Sequence, residues 1–142
     1  MSDEARAVVA GHADYAVGII SAVEQITGRG SRLVPVSGTG RSAAEIEEAI
    51  RTTMIDRGLK VIFTDLQAGS CSMAARRMMA GVEGAVLVCG ANLPTLLDFV
   101  LADDLSPQDA ALRALERGRS AMTMLTSRPK PTSADAGGSG AR

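Results

Sequence analysis

The sequence predicts a doubly wound α/β domain: a mostly parallel sheet in the order 2-1-3-4 with helices on both faces. Short apolar runs rich in Val and Ile, at Ala7–Ala10, Leu33–Val36, Val61–Phe63 and Ala85–Cys89, are separated by longer amphipathic stretches. The runs are continuous rather than alternating, which suits strands covered on both faces, as parallel strands are. Turn residues follow most of them, so the chain reads strand, helix, strand, helix from one end to the other.

Spacing and caps locate the helices. Ala16, Ile19, Ile20, Val23 and Ile26 form one stripe at helical period. Ser42 and Glu45 make an S-x-x-E capping box, with Ile46, Ile50 and Met54 following on one face. Ser70 or Ser72 is a candidate cap for a third helix carrying Ala75, Met78 and Met79. Asn92 precedes Leu93–Leu101, a short helix apolar nearly all round. Ser106-Pro107 is an N-cap followed by proline at the first helical position, and Gly118 reads as the stop. Beyond it, Arg119–Thr126 fits either an extension of the helix or a short final strand.

The chain of 142 residues is one domain in size and can bury a core without a disulfide or metal staple. Hydrophobic residues make up 46% but aromatics only 2%, so Ala, Val, Ile, Leu and seven Met must build that core. Sixteen acidic residues against 15 basic ones give a net charge of −1, with no basic run that would mark a nucleic-acid partner. Cys71 and Cys89 read as reduced thiols, and one histidine does not complete a zinc spacing with them. The start, MSDEARAVVAGH, does not read as a secretory leader, and no run reaches the ~20 apolar residues of a membrane span. The expectation is a cytoplasmic domain over residues 1–126, followed by a disordered Pro/Gly/Ser/Ala tail over 127–142.

In an open parallel sheet, ligands bind beyond the carboxyl ends of the strands, near a switch point in strand order. Gly11-His12 closes the first strand, Thr64-Asp65 the third and Gly90-Ala91-Asn92 the fourth. If the first and third strands are neighbours, His12 and Asp65 come within reach of each other. Taken singly, His12 is a solvated loop residue, Asp65 a cap for the next helix and Asn92 an N-cap. The pair has a use that neither residue has alone. An imidazole that attacks phosphorus must be neutral, with its free nitrogen aimed at the incoming group. A carboxylate on the other ring nitrogen fixes the tautomer and raises basicity. Helix starts are expected straight after His12 and Asp65, and free N–H groups there favour a dianion. Ala13 on one side and Ala68-Gly69-Ser70 on the other let backbone approach closely, and Ser70 adds a hydroxyl. No G-x-x-x-x-G-K-[ST] or G-x-G-x-x-G occurs, so a nucleotide site is unsupported. The glycine-rich segments Gly28–Arg32 and Ser37–Arg41 read as turns, and a Cys71–His12 nucleophile pair is a weaker alternative.

The segments GHADYAVGIISAVEQITG, VIFTDLQAGS and GAVLVCGANLPTLLDFVL, in this order and spacing, resemble the mannose/fructose/sorbose-class enzyme IIA component of the bacterial phosphoenolpyruvate sugar phosphotransferase system. The resemblance runs from about Ala7 to Met124. It implies that His12 is the phosphorylated histidine, that Asp65 holds its ring, and that Ser70 with Gly69 and Ala13 surrounds the phosphate. It makes Asn92 and Pro94 structural support for the site. It also implies phosphate arriving from the carrier HPr and leaving to a IIB component, with no metal or other cofactor, and membrane contact only through the permease. The fold it implies is a homodimer whose subunits exchange a final antiparallel edge strand.

The departures are local. The family's turn usually reads Gly-Gly-Ser-Pro with an asparagine two residues on; here it reads Ala68-Gly69-Ser70-Cys71, with Met73 at the asparagine position. Ala13 stands where many members carry glycine. The reading is a phosphotransferase carrier for sugar uptake. Its rivals are a regulatory phospho-acceptor module of the same fold and the phosphoryl-donor subunit of a dihydroxyacetone kinase.

Overall fold

A computed structural model describes residues 4–128. In chain order the elements are β1 (Ala7–Gly11), α1 (Tyr15–Thr27), β2 (Leu33–Ser37), α2 (Ala43–Arg57), β3 (Val61–Thr64), α3 (Ser70–Met79), β4 (Val86–Cys89), α4 (Leu93–Val100) and α5 (Pro107–Ser120). A single 3-10 turn, Gly30–Arg32, precedes β2. The four strands are parallel and lie in the order β2-β1-β3-β4, as the sequence predicts.

The sheet divides the core by residue parity. Ala7, Val9, Val61 and Phe63 pack on one face against α1, α4 and α5, where Phe63 meets Phe99 edge-on with ring centroids 5.0 Å apart. Val8, Ala10 and Ile62 pack on the other face against Ile46, Ile50 and Met54 of α2 and Ala74, Ala75 and Met78 of α3. All five residues of β1 are buried, which accounts for its unbroken apolar run.

The capping box at Ser42 and Glu45 forms as read, both of its hydrogen bonds being present. Ser106 caps α5 by accepting from the Asp109 amide. Several finer readings need correction. Neither Ser70 nor Ser72 caps α3: Gly69 is its N-cap, and the Ser72 hydroxyl bonds inward to Thr64 Oγ1 at 2.8 Å and to the Leu66 carbonyl. Ile26 leaves the buried stripe of α1 and lies exposed one residue before the helix ends at Thr27, with the left-handed Gly28 as its C-cap. α4 stops at Val100, leaving Leu101 exposed.

Gly118 does not stop α5, which runs on to Ser120. It marks instead the point where α4 and α5 touch. The Gly118 carbonyl accepts from Asn92 Nδ2 at 2.9 Å, and Asn92 Oδ1 accepts from the Thr95 amide at 3.0 Å and the Thr95 hydroxyl at 2.6 Å. Residues 122–128 have no regular structure, so neither a helical extension nor a fifth strand forms there within one chain. Of the expected tail, residues 129–142 lie outside the described residues.

The strands' amino ends are fastened by arginines. Arg32 is buried, donating to the Val100 carbonyl at 2.8 Å and pairing with Asp103. Arg6 donates to the carbonyls of Ala102 (2.9 Å) and Leu105 (2.8 Å) and lies over the Phe99 ring.

A Cβ at Gly118 would overlap Thr95 Oγ1 and lie 3.0 Å from Asn92 Oδ1. Gly118→Ala should therefore destabilise the domain by about 1–3 kcal/mol through overpacking, although alanine is the better helix former. Urea unfolding measures the difference, and a stabilised variant would contradict this contact.

Candidate functional site

The register that pairs Ala10 with Thr64 brings the next residues of β1 and β3 together at the sheet's carboxyl edge. Asp65 Oδ2 accepts two hydrogen bonds from His12, one from the backbone amide at 2.8 Å and one from ring Nδ1 at 2.9 Å. Asp65 thus serves the histidine and does not cap α3, which starts five residues later. The imidazole is half exposed (51%), whereas the carboxylate is largely covered (13%). Burial alone would push the Asp65 carboxyl up; the hydrogen bonds from His12 and the ring's charge outweigh it and hold the group below its ordinary value. An ionised Oδ2 only accepts, so Nδ1 carries the proton and the lone pair of the neutral ring sits on Nε2.

Nε2 faces the amino end of α3. A Cβ built on Gly69 would lie 3.1 Å from His12 Cε1 and 3.6 Å from Nε2. Gly69 also holds φ 133°, which side-chain-bearing residues rarely adopt, so glycine is required twice over. The first-turn N–H groups of Ser70, Cys71 and Ser72 have no carbonyl one turn earlier in the helix. Ser70 is exposed at the first position of α3, with its hydroxyl hydrogen-bonded to the Cys71 thiol. Cys71 itself is fully buried, and burial, with the Asp65 charge adding to it, pushes its thiol up. That is the opposite of an activated nucleophile and removes the Cys71–His12 alternative.

On the β1 side, α1 begins at Tyr15 and not directly after His12, and the turn between them is tight. Ala13 takes φ 46°, the only described residue besides glycine with a positive value. The Ser37 hydroxyl steadies this turn by donating to the Ala13 carbonyl at 3.1 Å and accepting from the Thr39 amide at 3.1 Å. Asn92 and Pro94 lie at the carboxyl end of β4, where they start α4 and join it to α5, and the Asn92 side chain bonds Thr95 and Gly118 rather than His12. Leu66, beside Gly69, is exposed at the rim.

Tyr15, Ser37 and Gly11 were not legible as site residues. Gly11 had a signal, being a glycine at the end of an apolar run: a Cβ there would run into the Tyr15 ring and lie 3.0 Å from the Asp65 carboxylate. Among the described residues, no group of three or more His, Cys, Asp or Glu is arranged to hold a metal ion. No helix there is long and apolar enough to cross a membrane.

Residues 6–116 match the EIIA-man family, described as the PTS system fructose IIA component, where PTS denotes the phosphotransferase system. The chain belongs to this family. No curated protein matches it in sequence. Solved structures show the same fold at low identity. The phosphotransferase system component EIIA from Streptococcus agalactiae is 20% identical, covering 84% of this chain and 95% of its own, with a TM-score of 0.74. The mannose/sorbose specific IIA subunit from Enterococcus faecalis is 16% identical, covering 91% and 99%, with a TM-score of 0.76. A PTS IIA protein associated with the fucose utilization operon of Streptococcus pneumoniae is 19% identical, covering 87% and 96%, with a TM-score of 0.67. As an EIIA-man member, the chain is a component of a sugar phosphotransferase system.

Ala13 keeps a left-handed backbone at a cost glycine does not carry. Ala13→Gly should stabilise the domain by up to about 1 kcal/mol, read by thermal or urea unfolding. A loss of stability would show that the Ala13 methyl makes a contact worth more than the strain.

Proposed function

We propose that the chain is a phosphoryl carrier in which His12 Nε2 takes a phosphoryl group from phospho-HPr and passes it to a separate IIB component for sugar uptake. The observation that carries this reading is the His12–Asp65 pair, its Nε2 lone pair directed at the amino end of α3, in a chain of the EIIA-man family. In the transfer, the Nε2 lone pair attacks phosphorus while the phosphorus–nitrogen bond of the donor histidine breaks. The electron pair of that bond stays on the donor ring. His12 gains positive charge as the new bond forms, and the Asp65 carboxylate at Nδ1 opposes that charge.

The phosphoryl oxygens meet the free N–H groups of residues 70–72 and the Ser70 hydroxyl, with the positive end of the α3 dipole behind them. Gly69 and Ala13 leave room for the group. Asn92 and Pro94 support the site from the next loop by fixing the start of α4. Transfer between two histidines conserves most of the phosphoramidate free energy, so the protein has chiefly to position and shield the group. The relay takes place in the cytoplasm, with the membrane reached only through the permease.

The chain's edges support a homodimer. β4 is an edge strand, and beside it lies a cavity of about 140 Å³ lined by Val88, Cys89, Asn92, Leu115, Arg119 and Met122. Met122, Met124 and Leu125 are 78%, 86% and 93% exposed. The first two residues of the expected strand, 119 and 120, belong to α5; in a dimer, residues 122–126 of each subunit pair as an antiparallel strand on the partner's sheet and cover these side chains.

Incubation with phosphoenolpyruvate, enzyme I and HPr should add one phosphoryl group per chain, lost on mild acid treatment as a phosphohistidine is. His12→Ala should fold and take up none, and Asp65→Asn should slow uptake about 10- to 100-fold with the fold intact. Acid-stable label persisting in His12→Ala would move the chemistry to a hydroxyl, with Ser70 the first candidate, and an unlabelled wild type would end the relay reading.

Sedimentation tests the assembly. Deleting residues 119–142 should abolish the dimer, and deleting 127–142 should leave it intact. A monodisperse monomer of the full chain at micromolar concentration would rule out the exchanged strand.

A further inference from the structure

Asp65 Oδ1 is the one buried side-chain oxygen or nitrogen among the described residues that lacks a hydrogen-bond partner. Its sister Oδ2 carries both bonds from His12. Oδ1 is out of reach of solvent, so a neighbouring side chain must cover it.

The neighbour placed to do so is Tyr15. It starts α1, just past the end of β1, and its hydroxyl donates to the Ala91 carbonyl at 2.7 Å. Ala91 continues from β4, its amide bonding the Thr64 carbonyl at 2.9 Å. Because β3 lies between β1 and β4, a side chain that reaches from residue 15 to residue 91 must cross the end of β3, where Asp65 stands. The Tyr15 ring and the Asp65 carboxylate also converge on Gly11, where only a missing Cβ leaves them room. Burial and then the Asp65 charge push the Tyr15 hydroxyl up to about 12, in keeping with a ring held dry beside a carboxylate.

We propose that Tyr15 is a positioning residue for the His12–Asp65 pair, its tethered ring shutting water away from Asp65 Oδ1. Apart from its own backbone amide, the carboxylate has His12 as its partner among the described residues, and the low local dielectric strengthens that bond. The Nδ1–H tautomer is thereby selected and Nε2 kept free. The inference deepens the phosphoryl-relay reading and rests on it for its consequence, since the lid matters to transfer only if Nε2 is the attacking atom.

His12 is the only histidine, so a long-range proton–nitrogen correlation spectrum of the full chain, taken where the ring is neutral, reads its tautomer without ambiguity. The wild type should show the Nδ1–H form. Tyr15→Phe keeps the ring over the carboxylate and should retain that form. Tyr15→Ala lets water reach Oδ1 and should give a mixture of both tautomers, with phosphoryl uptake slowed about tenfold or more. Should Tyr15→Ala lose the fold, Tyr15→Leu, too short to span β3, carries the same expectation. A folded Tyr15→Ala or Tyr15→Leu chain with the Nδ1–H form undiminished overturns the proposal. The tautomer is read with no phosphoryl donor present, so a wild type that takes up no phosphate counts against the relay alone and leaves this comparison in force.

Discussion

A strand paired on both edges and covered on both faces has no place for a charged side chain until it ends. β1 is such a strand: β2 and β3 take its two edges, and helices take both of its faces. All the chemistry available to it is displaced to the residues just past Gly11. The same holds for β3, whose last residue, Thr64, is still buried and whose next, Asp65, is the first free to carry a charge. Parallel pairing brings both termini to the same side of the sheet. The meeting of His12 and Asp65 is therefore a consequence of how the interior is filled, and the hydrogen bonds are its local expression.

This is also why the central features were legible in the sequence. An apolar run broken by Gly-His, and another broken by Thr-Asp, each announce a buried strand and its end, and the strand order then places the two ends side by side. The Ser42 and Ser106 caps were legible for a different reason. Capping is local chemistry, decided by residues three apart, and tertiary packing here does not contest it.

What was hidden is what depends on contact between distant segments. Ser72 has the composition of a cap, yet Thr64 and the Leu66 carbonyl claim its hydroxyl from across the β3–α3 loop. Gly118 has the composition of a helix stop, yet its lack of a side chain serves a helix crossing at Thr95. Arg32 is a cation in what reads as a glycine-rich turn, and only the arrival of the α4 end explains its burial. Tyr15 reads as a helix residue like any other; its role follows from the carbonyl of Ala91, 76 residues away. Short-range rules cannot register such partners, because they belong to the fold as a whole.

The arginines at the strands' amino ends carry a further consequence. Arg6 and Arg32 hold carbonyls released at and beyond the end of α4, on the side of the sheet away from His12. Planar guanidinium groups suit that duty, since each engages more than one acceptor in a fixed fork. The architecture thus keeps its fasteners and its His12–Asp65 edge at opposite poles. Sequence drift at the His12 rim, such as the exposed methionine at position 73, is free to alter partner fit without loosening the clasp. Drift at the clasp would instead be felt by the whole domain. The molecule can be retuned at one pole because it is closed at the other.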